Sequence, residues 1–422
     1  MVNCSNMLST DAVQTSSGYE TENGLRFSCA STVNLTKGTF SWVPEMRLIL
    51  ACVCLIVASL SLATRVCATE SRVDNVFGDP LLTPAVTLAG VMNPASQPIL
   101  ALVKIGEGTH RRIIAAGFRG LVLISDDGAS HWRQARVPVQ SDLVALCFIS
   151  DRRGWAVGHD GVILHTEDGG ESWTKQFDGD AAHDVMTAYY KTRIANGEHQ
   201  LQRFLDEVEL NTKDGATLPF LSVYFENEKI GYAVGSFGML AETEDGGKTW
   251  RPWLDHIDNE KFLNLNDIRK VGSDIYIAGE QGTVYRLDRD KQRFVAVSTS
   301  YKGSFFRIAG NEKYLLAMGL NGTAFRSGDL GQSWKAVKTG VHTSLTSASL
   351  SADGKTIVLT AEGGQALYST DDAQTFMPLA MHKPMLFADV VDGDDDWFVF
   401  AGYQGIAREK VPAANKSAPV QK

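Results

Sequence analysis

Cysteine is almost missing from most of this chain. Six occur in 422 residues, five of them within residues 1–67, which leaves Cys147 by itself in the remainder. A lone cysteine forms no intramolecular disulfide, so the fold has to rest on its apolar core even in an oxidising compartment. Cys147 lies inside an apolar run and reads as a small buried hydrophobe, not a nucleophile. No Lys/Arg run stands out and the net charge is −9, which removes the electrostatic case for nucleic acid. The chain lacks His-Glu-x-x-His, the phosphate loop Gly-x-x-x-x-Gly-Lys-Ser/Thr, Cys-x-x-Cys and the Gly-x-Ser-x-Gly elbow. The zinc-protease, P-loop, redox-dithiol and hydrolase-elbow chemistries go with them, and no cofactor or metal is expected. His159 and His165 have no third ligand at metal spacing, and the acidic run Asp392–Asp396 has no downstream Glu to complete a calcium loop.

What the chain has in quantity is a repeat. A short apolar run ending in Gly-x-x-Gly places its second glycine at 120, 161, 238, 282, 322, 364 and 405, at intervals of 41, 77, 44, 40, 42 and 41 residues. One long interval marks an insertion in an otherwise regular array of seven units. The apolar run is followed by Ser/Thr-x-Asp-x-Gly-x-x-aromatic, the Asp-box or BNR repeat. It is complete at Thr166, Asp168 and Trp173, at Thr243, Asp245 and Trp250, and at Ser327, Asp329 and Trp334. It is nearly complete at Ser125, Asp127 and Trp132 and at Ser369, Asp371 and Phe376, degraded at Arg286–Phe294, and absent after Gly405. These aspartates repeat because a turn needs them, so they read as structural.

Each unit holds four short runs rich in β-branched and aromatic residues, in the second unit Leu143–Ile149, Trp155–Gly158, Val162–Thr166 and Trp173–Phe177. Four strands per 40–45 residues is the pattern of a propeller blade. The expected fold is all-β, a seven-bladed β-propeller over residues 80–411 with four-stranded blades. The seventh unit shows only three runs, Met385–Val391, Trp397–Gly402 and Ile406–Val411, and an open edge is a liability. The segment Leu82–Met92 is expected to supply the missing strand and close the ring. The insertion, residues 179–219, is expected to be helical, because Leu201, Phe204, Leu205 and Val208, and Val185, Met186, Tyr189 and Tyr190, fall at helical spacing on either side of Asn196-Gly197.

Residues 46–68 read as a signal peptide: Arg47, the uncharged run Leu48–Ala63, then a small residue before Thr69. The location implied is periplasmic or secreted, with a signal anchor as the alternative. Cys67 lacks a lipoprotein-box context. Residues 1–45 form a polar leader, either untranslated or disordered, and residues 412–422 a disordered tail.

Strand parity puts the Gly-x-x-Gly turns on the same face as the connections between blades, the insertion among them. The middle residues of those turns differ in every unit, and they form the candidate partner-binding face: Phe118, Arg119, His159, Asp160, Phe237, Glu280, Gln281, Asn321, Glu362, Tyr403 and Gln404. The enzyme alternative is a glycosidase, since Asp-boxes also occur in sialidases and glucan-cleaving propellers. It would need paired carboxylates near the axis, for which Asp160, Glu280 and Glu362 are the candidates. The sialidase motif Phe/Tyr-Arg-Ile-Pro finds only a late echo, Phe306-Arg307-Ile308-Ala309, without the proline.

Gly-Trp-Ala-Val-Gly-x-x-Gly at Gly154–Gly161, the boxes at Thr166–Trp173 and Thr243–Trp250, and Ala278–Gly282 together resemble the photosystem II stability/assembly factor family. The resemblance spans about residues 80–410. It implies a seven-bladed, non-enzymatic, extracytoplasmic assembly factor whose partner is a protein, a subunit of a membrane complex; a small-molecule or glycan ligand is the less favoured partner. The long insertion, the net negative charge and the lack of an arginine cluster set this chain apart from photosynthetic members. They make it more similar to bacterial relatives that accompany exporters of the resistance-nodulation-division superfamily.

Overall fold

Each unit folds into its own antiparallel sheet. In a computed structural model of the protein, residues 78–412 are described, apart from 89–92, 107–110, 214 and 217. The expected leader, signal peptide and tail fall outside the described residues. The strands are numbered β1–β27 in chain order. The first strands of the seven sheets are β1 (Ile99–Ile105), β5 (Leu143–Phe148), β9 (Phe220–Phe225), β13 (Leu265–Val271), β17 (Phe305–Asn311), β21 (Leu345–Leu350) and β25 (Phe387–Asp394). Each packs on the next, and β25 packs on β1, so the ring is complete and the chain is a seven-bladed propeller. The second blade shows the match to sequence: β6 (Gly154–Gly158), β7 (Ile163–Thr166) and β8 (Thr174–Phe177) follow β5 as the runs of β-branched residues require. The core lies between sheets. Trp155 stacks on Phe225 of the next blade at 3.4 Å, and Trp173 meets Phe148 edge-on at 6.0 Å.

Six sheets have four strands, and the seventh has three among the described residues: β25, β26 (Trp397–Gly402) and β27 (Gly405–Lys410). The expected closing strand is corrected here. Residues 82–88 are not a strand of the seventh sheet; they run along the outer edge of the first blade, beside β4 (Arg133–Gln134). Ala85 N donates to the Val137 carbonyl at 3.0 Å, Leu88 N to Gln134 Oε1 at 2.7 Å, and Gln140 N to the Pro80 carbonyl at 2.7 Å. The physical reason is proline. Pro80 and Pro84 have no N–H for a ladder, while Leu81 finds a buried site against Val137 and Val139. Residues 89–92 of that segment lie outside the described residues. Blade seven joins blade one face to face, with Ile99, Ala115 and Leu123 packed against Val399 and Ala401.

The Asp-box explains how very short outer strands stay in place. In blade two, Thr166 Oγ1 donates to Asp168 Oδ1 at 2.8 Å and accepts from Gly170 N at 3.0 Å. Asp168 also accepts from Ser172 N at 3.0 Å and from Ser172 Oγ at 2.5 Å. The same bonds recur around Asp245, Asp329 and Asp371, and largely around Asp127. Asp127 is held well below the usual carboxylate range by the His131 backbone N–H and side chain, and Asp329 at about 2 by its bonds from Ser327 and Ser333.

The insertion forms two helices, α1 (Gly179–Ala195) and α2 (Gln202–Thr212). Asp178 caps α1 by accepting from Ala181 N at 2.9 Å, and the helix ends at Asn196, before Gly197 with φ +104°. Ala182, Met186 and Tyr190, one helical repeat apart, are buried with Leu201, Leu205 and Val208 of the second segment. They cover Phe177 and Trp250, at the periphery of blades two and three. Val185, one of the residues at helical spacing, lies on the exposed side of α1.

Candidate partner-binding face

The turns after the second strands sit on the face where the insertion starts: Gly179 lies directly against the His159–Gly161 turn. In that turn a Cβ on Gly158 would fall 1.8 Å from the Asp142 carbonyl, and Gly161 takes φ +63°. Both glycines are therefore obligatory. The positions between them are less free than the sequence implies. Arg119, Asp160, Phe237, Gln281 and Asn321 all have φ between 52° and 58°, a left-handed conformation that costs a side chain energy. It is held by side chains just ahead of the next inner strand. Asp142 Oδ1 accepts from Arg119 N at 2.8 Å, and Asn264 Oδ1 from Phe237 N at 2.7 Å.

The polar tips are mostly engaged locally. Asp160 accepts from Ser141 Oγ at 2.7 Å, Glu280 from Asn264 Nδ2 at 3.3 Å, and Gln281 from Lys261 Nζ at 3.1 Å. Arg119 donates to Gln140 at 2.8 Å, His159 Nδ1 lies 3.8 Å from Asp142, and Gln404 Oε1 accepts from Leu386 N at 3.2 Å. Asn321 and Glu362 are exposed. The apolar tips are the ones left to solvent: Phe237 is 53% exposed, Tyr403 50%, Leu386 46% and Leu320 38%. Phe118 and Tyr403 are brought together across the junction of blades one and seven, ring centroids 5.7 Å apart. Beside them a cavity of about 220 Å³ is walled by Val86, Leu88, Pro98 and Leu121. The remaining candidates stand on separate blades around the rim.

Sequence reasoning missed the residues that tie the ring together at its centre. Every inner strand carries a bulge, and the residue after it forms a column: Ala101, Ala145, Ser222, Asp267, Arg307, Ser347 and Asp389. Asp389 Oδ2 accepts from Leu102 N at 2.7 Å, tying blade seven to blade one, and Asp267 Oδ2 accepts from Ile308 N at 3.0 Å. Arg307 reaches both, at 2.8 Å to Asp389 and 3.5 Å to Asp267. Ser347 donates to Asp389 and Ser222 to Asp267. Burial would raise the Asp267 carboxyl, but the charges of Arg269 and Arg307 outweigh it and hold it below the usual range. Aligning the seven inner strands in sequence would have exposed this column. Asp160, Glu280 and Glu362 stand instead in rim turns of blades two, four and six. The Asp392–Asp396 run is the end of β25 and the turn at Asp395–Asp396, and Asp392, still in the strand, pairs with Lys104 at 2.5 Å.

A family model described as photosynthesis system II assembly factor YCF48 matches residues 124–200 and 198–378. The curated photosystem II assembly lipoprotein Ycf48 of Synechococcus sp. (strain CC9902) is 29% identical over 122 residues, 28% of this chain and 37% of that protein. The chain spans less than half the length of the curated relatives it matches. Among solved structures, YCF48 bound to D1 peptide aligns with a TM-score of 0.55 at 15% identity, covering 76% of this chain and 96% of that one. A GH74 enzyme from Niastella koreensis aligns with a TM-score of 0.54 at 12% identity, covering 76% and 53%. At such identities these structures establish the shared propeller fold alone.

Proposed function

The chain belongs to the family of the photosynthesis system II assembly factor YCF48, and from that premise we propose that it is a non-enzymatic, protein-binding assembly factor serving a membrane-protein complex outside the cytoplasm. The observation that carries this reading is the rim. Phe237, Leu320, Tyr403 and Leu386 are large apolar side chains held in solvent by turns whose backbone is fixed by hydrogen bonds. Exposed apolar groups on rigid supports mark interaction surfaces, because little ordering entropy is lost on docking. A solved propeller of the same shape is described as bound to a D1 peptide, which supports a peptide of a membrane-protein subunit as the kind of partner. The lipoprotein names of the curated relatives support an extracytoplasmic place. With a net charge of −9, an exporter of the resistance-nodulation-division type fits this chain better than a photosystem core.

No catalytic role is proposed. A glycosidase needs paired carboxyls flanking the bond it cleaves, whereas the axial Asp267 is paired with Arg269 at 3.2 Å and Arg307 at 3.5 Å, and Asp389 with Arg307 at 2.8 Å. The test is crosslinked capture from solubilised membranes with the native protein and with the double variant Phe237→Glu, Tyr403→Glu. The expected result is one integral-membrane subunit recovered by the former and lost by the latter. Equal recovery by both would remove the rim from the binding surface, and hydrolysis of xyloglucan or a sialoside by the purified protein would overturn the non-enzymatic reading.

A further inference from the structure

The seventh sheet ends on an open edge. β27 pairs with β26 on one side, and among the described residues no strand lies along the other. Unpaired backbone groups on such an edge recruit a further strand. One side chain records the gap. The second residue after the turn glycine is Val122, Ile163, Leu240, Val284, Ala324 and Ala366 in blades one to six, each no more than 1% exposed. It stands opposite a residue of the outer strand, as Ala366 does opposite Leu379. Ala407, its counterpart in blade seven, is only partly buried.

Spacing points to what belongs there. In blades two, three and six the third strand ends five residues after its turn glycine, at Thr166, Thr243 and Ser369, and the outer strand starts eight residues later, at Thr174, Arg251 and Met377. β27 likewise ends at Lys410, five residues after Gly405, which puts the start of an outer strand at Ala418. The chain keeps to the sheet through Val411, whose N–H donates to the Asp396 carbonyl at 2.7 Å, and residues 413–422 follow Pro412. The residue types fit this frame. The second position of the outer strand is proline in β12 (Arg251–Pro252) and in β24 (Met377–Leu379), and it is Pro419 here. An N–H at that position faces away from the ladder, so proline is tolerated. The third position is apolar and bonds inward: Trp253 N donates to the Leu240 carbonyl at 2.8 Å, and Trp253 and Leu379 are 5% and 9% exposed. Val420 takes that place in blade seven, opposite Ala407.

We propose that Ala418–Gln421 of the same chain docks on this edge as the fourth strand of blade seven, with Val420 N–H donating to the Ala407 carbonyl and the Val420 side chain covering Ala407. Pro412, Ala414 and Ser417 stand where a box has its Asp, Gly and aromatic residue. The turn is therefore not knotted, and the strand is held by its ladder and by burial of Val420 alone. The inference does not depend on what the rim binds.

Disulfide trapping in the full chain tests it. In this register Arg408 faces Pro419 as Ala241 faces Pro252 in blade three, a pair without mutual hydrogen bonds whose Cα atoms lie about 4.5 Å apart, within reach of a disulfide. The double variant Arg408→Cys, Pro419→Cys should therefore oxidise to a bond within one chain, read by peptide mapping and by sedimentation as a monomer. The control Arg408→Cys, Val420→Cys puts the two thiols on opposite faces of the sheet and should stay reduced at those positions. No bond in the first variant, or equal bonding in both, would overturn the proposal. A bond joining two chains would give the edge to a second copy and overturn it as well. A second measurement needs no cysteine. The Ala407 amide should exchange slowly in the native protein and faster in Val420→Pro, which cannot donate to the Ala407 carbonyl. The same exchange rate in both would overturn the assignment of Val420 to that position.

Discussion

The second and fourth blades solve one problem in two ways. Both must hold an outer strand on a sheet whose third strand faces solvent on one side. Blade two does it with a box: its outer pair has three ladder partners, and Thr166, Asp168 and Ser172 knot the turn. Blade four has lost the motif, and its strands β15 (Thr283–Asp288) and β16 (Arg293–Ser298) pair along six residues each, with Phe294 buried. The box is thus a substitute for ladder length. Blade seven has no box either; its outermost described strand, β27, pairs with β26 along six residues, and its inner strand is tied to blade one at the axis, where Asp389 holds Leu102. The repeat motif is therefore dispensable wherever another set of bonds anchors the strand.

Three experiments sharpen this contrast. The largest effect is expected at the axis. Asp389→Ala leaves the Leu102 N–H, the Ser347 hydroxyl and the Arg307 guanidinium without their acceptor. Breaking a buried pair in this way costs about 3–5 kcal/mol, read as a fall in urea-unfolding stability. Asp389→Asn, which keeps an acceptor, should recover part of it. A loss below about 1 kcal/mol would mean that face-to-face packing of Val399 and Ala401 on blade one suffices. Next comes the box itself. Asp168→Ala removes bonds from Thr166 Oγ1, Ser172 N and Ser172 Oγ and should cost about 1–2 kcal/mol. The matched change in blade four, Asp288→Ala, touches only an exposed turn with Lys291 and should leave the unfolding midpoint in place. If both substitutions cost the same, the box is not what replaces the ladder.

Much of this architecture was legible in the chain. The glycine spacing gave seven blades because every second-strand turn needs Gly161 or its equivalent at positive φ. The boxes were legible because each carries its own hydrogen-bond partners within eight residues. What could not be read were bonds between residues far apart in sequence. Asp389 and Leu102 are 287 positions apart, and no local pattern announces them. The rim was half legible: the turns were placed correctly, but the left-handed backbone at Arg119 and Phe237 and the bonds that engage Asp160 and Glu280 depend on Ser141, Asp142 and Asn264 of the neighbouring connections. The apolar residues of Leu82–Met92 suggest a strand, but Pro84 lacks the N–H a ladder needs and Leu81 anchors the segment on blade one instead.

The smallest effect, and the one most specific to the unboxed blade, concerns His382. It lies on the connection leading into β25, and Glu409 of β27 accepts from both its backbone N–H at 2.7 Å and its imidazole at 2.6 Å. Glu409 is buried and His382 is exposed. The hydrogen bond and charge of Glu409 raise the imidazole above its ordinary 6.5. A raised folded-state value means that the contribution is complete below pH 6.5 and is lost as pH rises through the folded value. His165, whose imidazole is lowered by burial, pulls the other way in the same window, so the signal is the difference between the native protein and His382→Gln: the native protein should be the more stable at pH 5.5, and the two should match at pH 8.5. Amide exchange in β26 and β27 should quicken at the higher pH more than in blade two, where no histidine holds the outer strand. A His382→Gln variant that tracks the native protein at both pH values would show that the β26–β27 ladder and the axial bonds secure the three-stranded sheet without this contact.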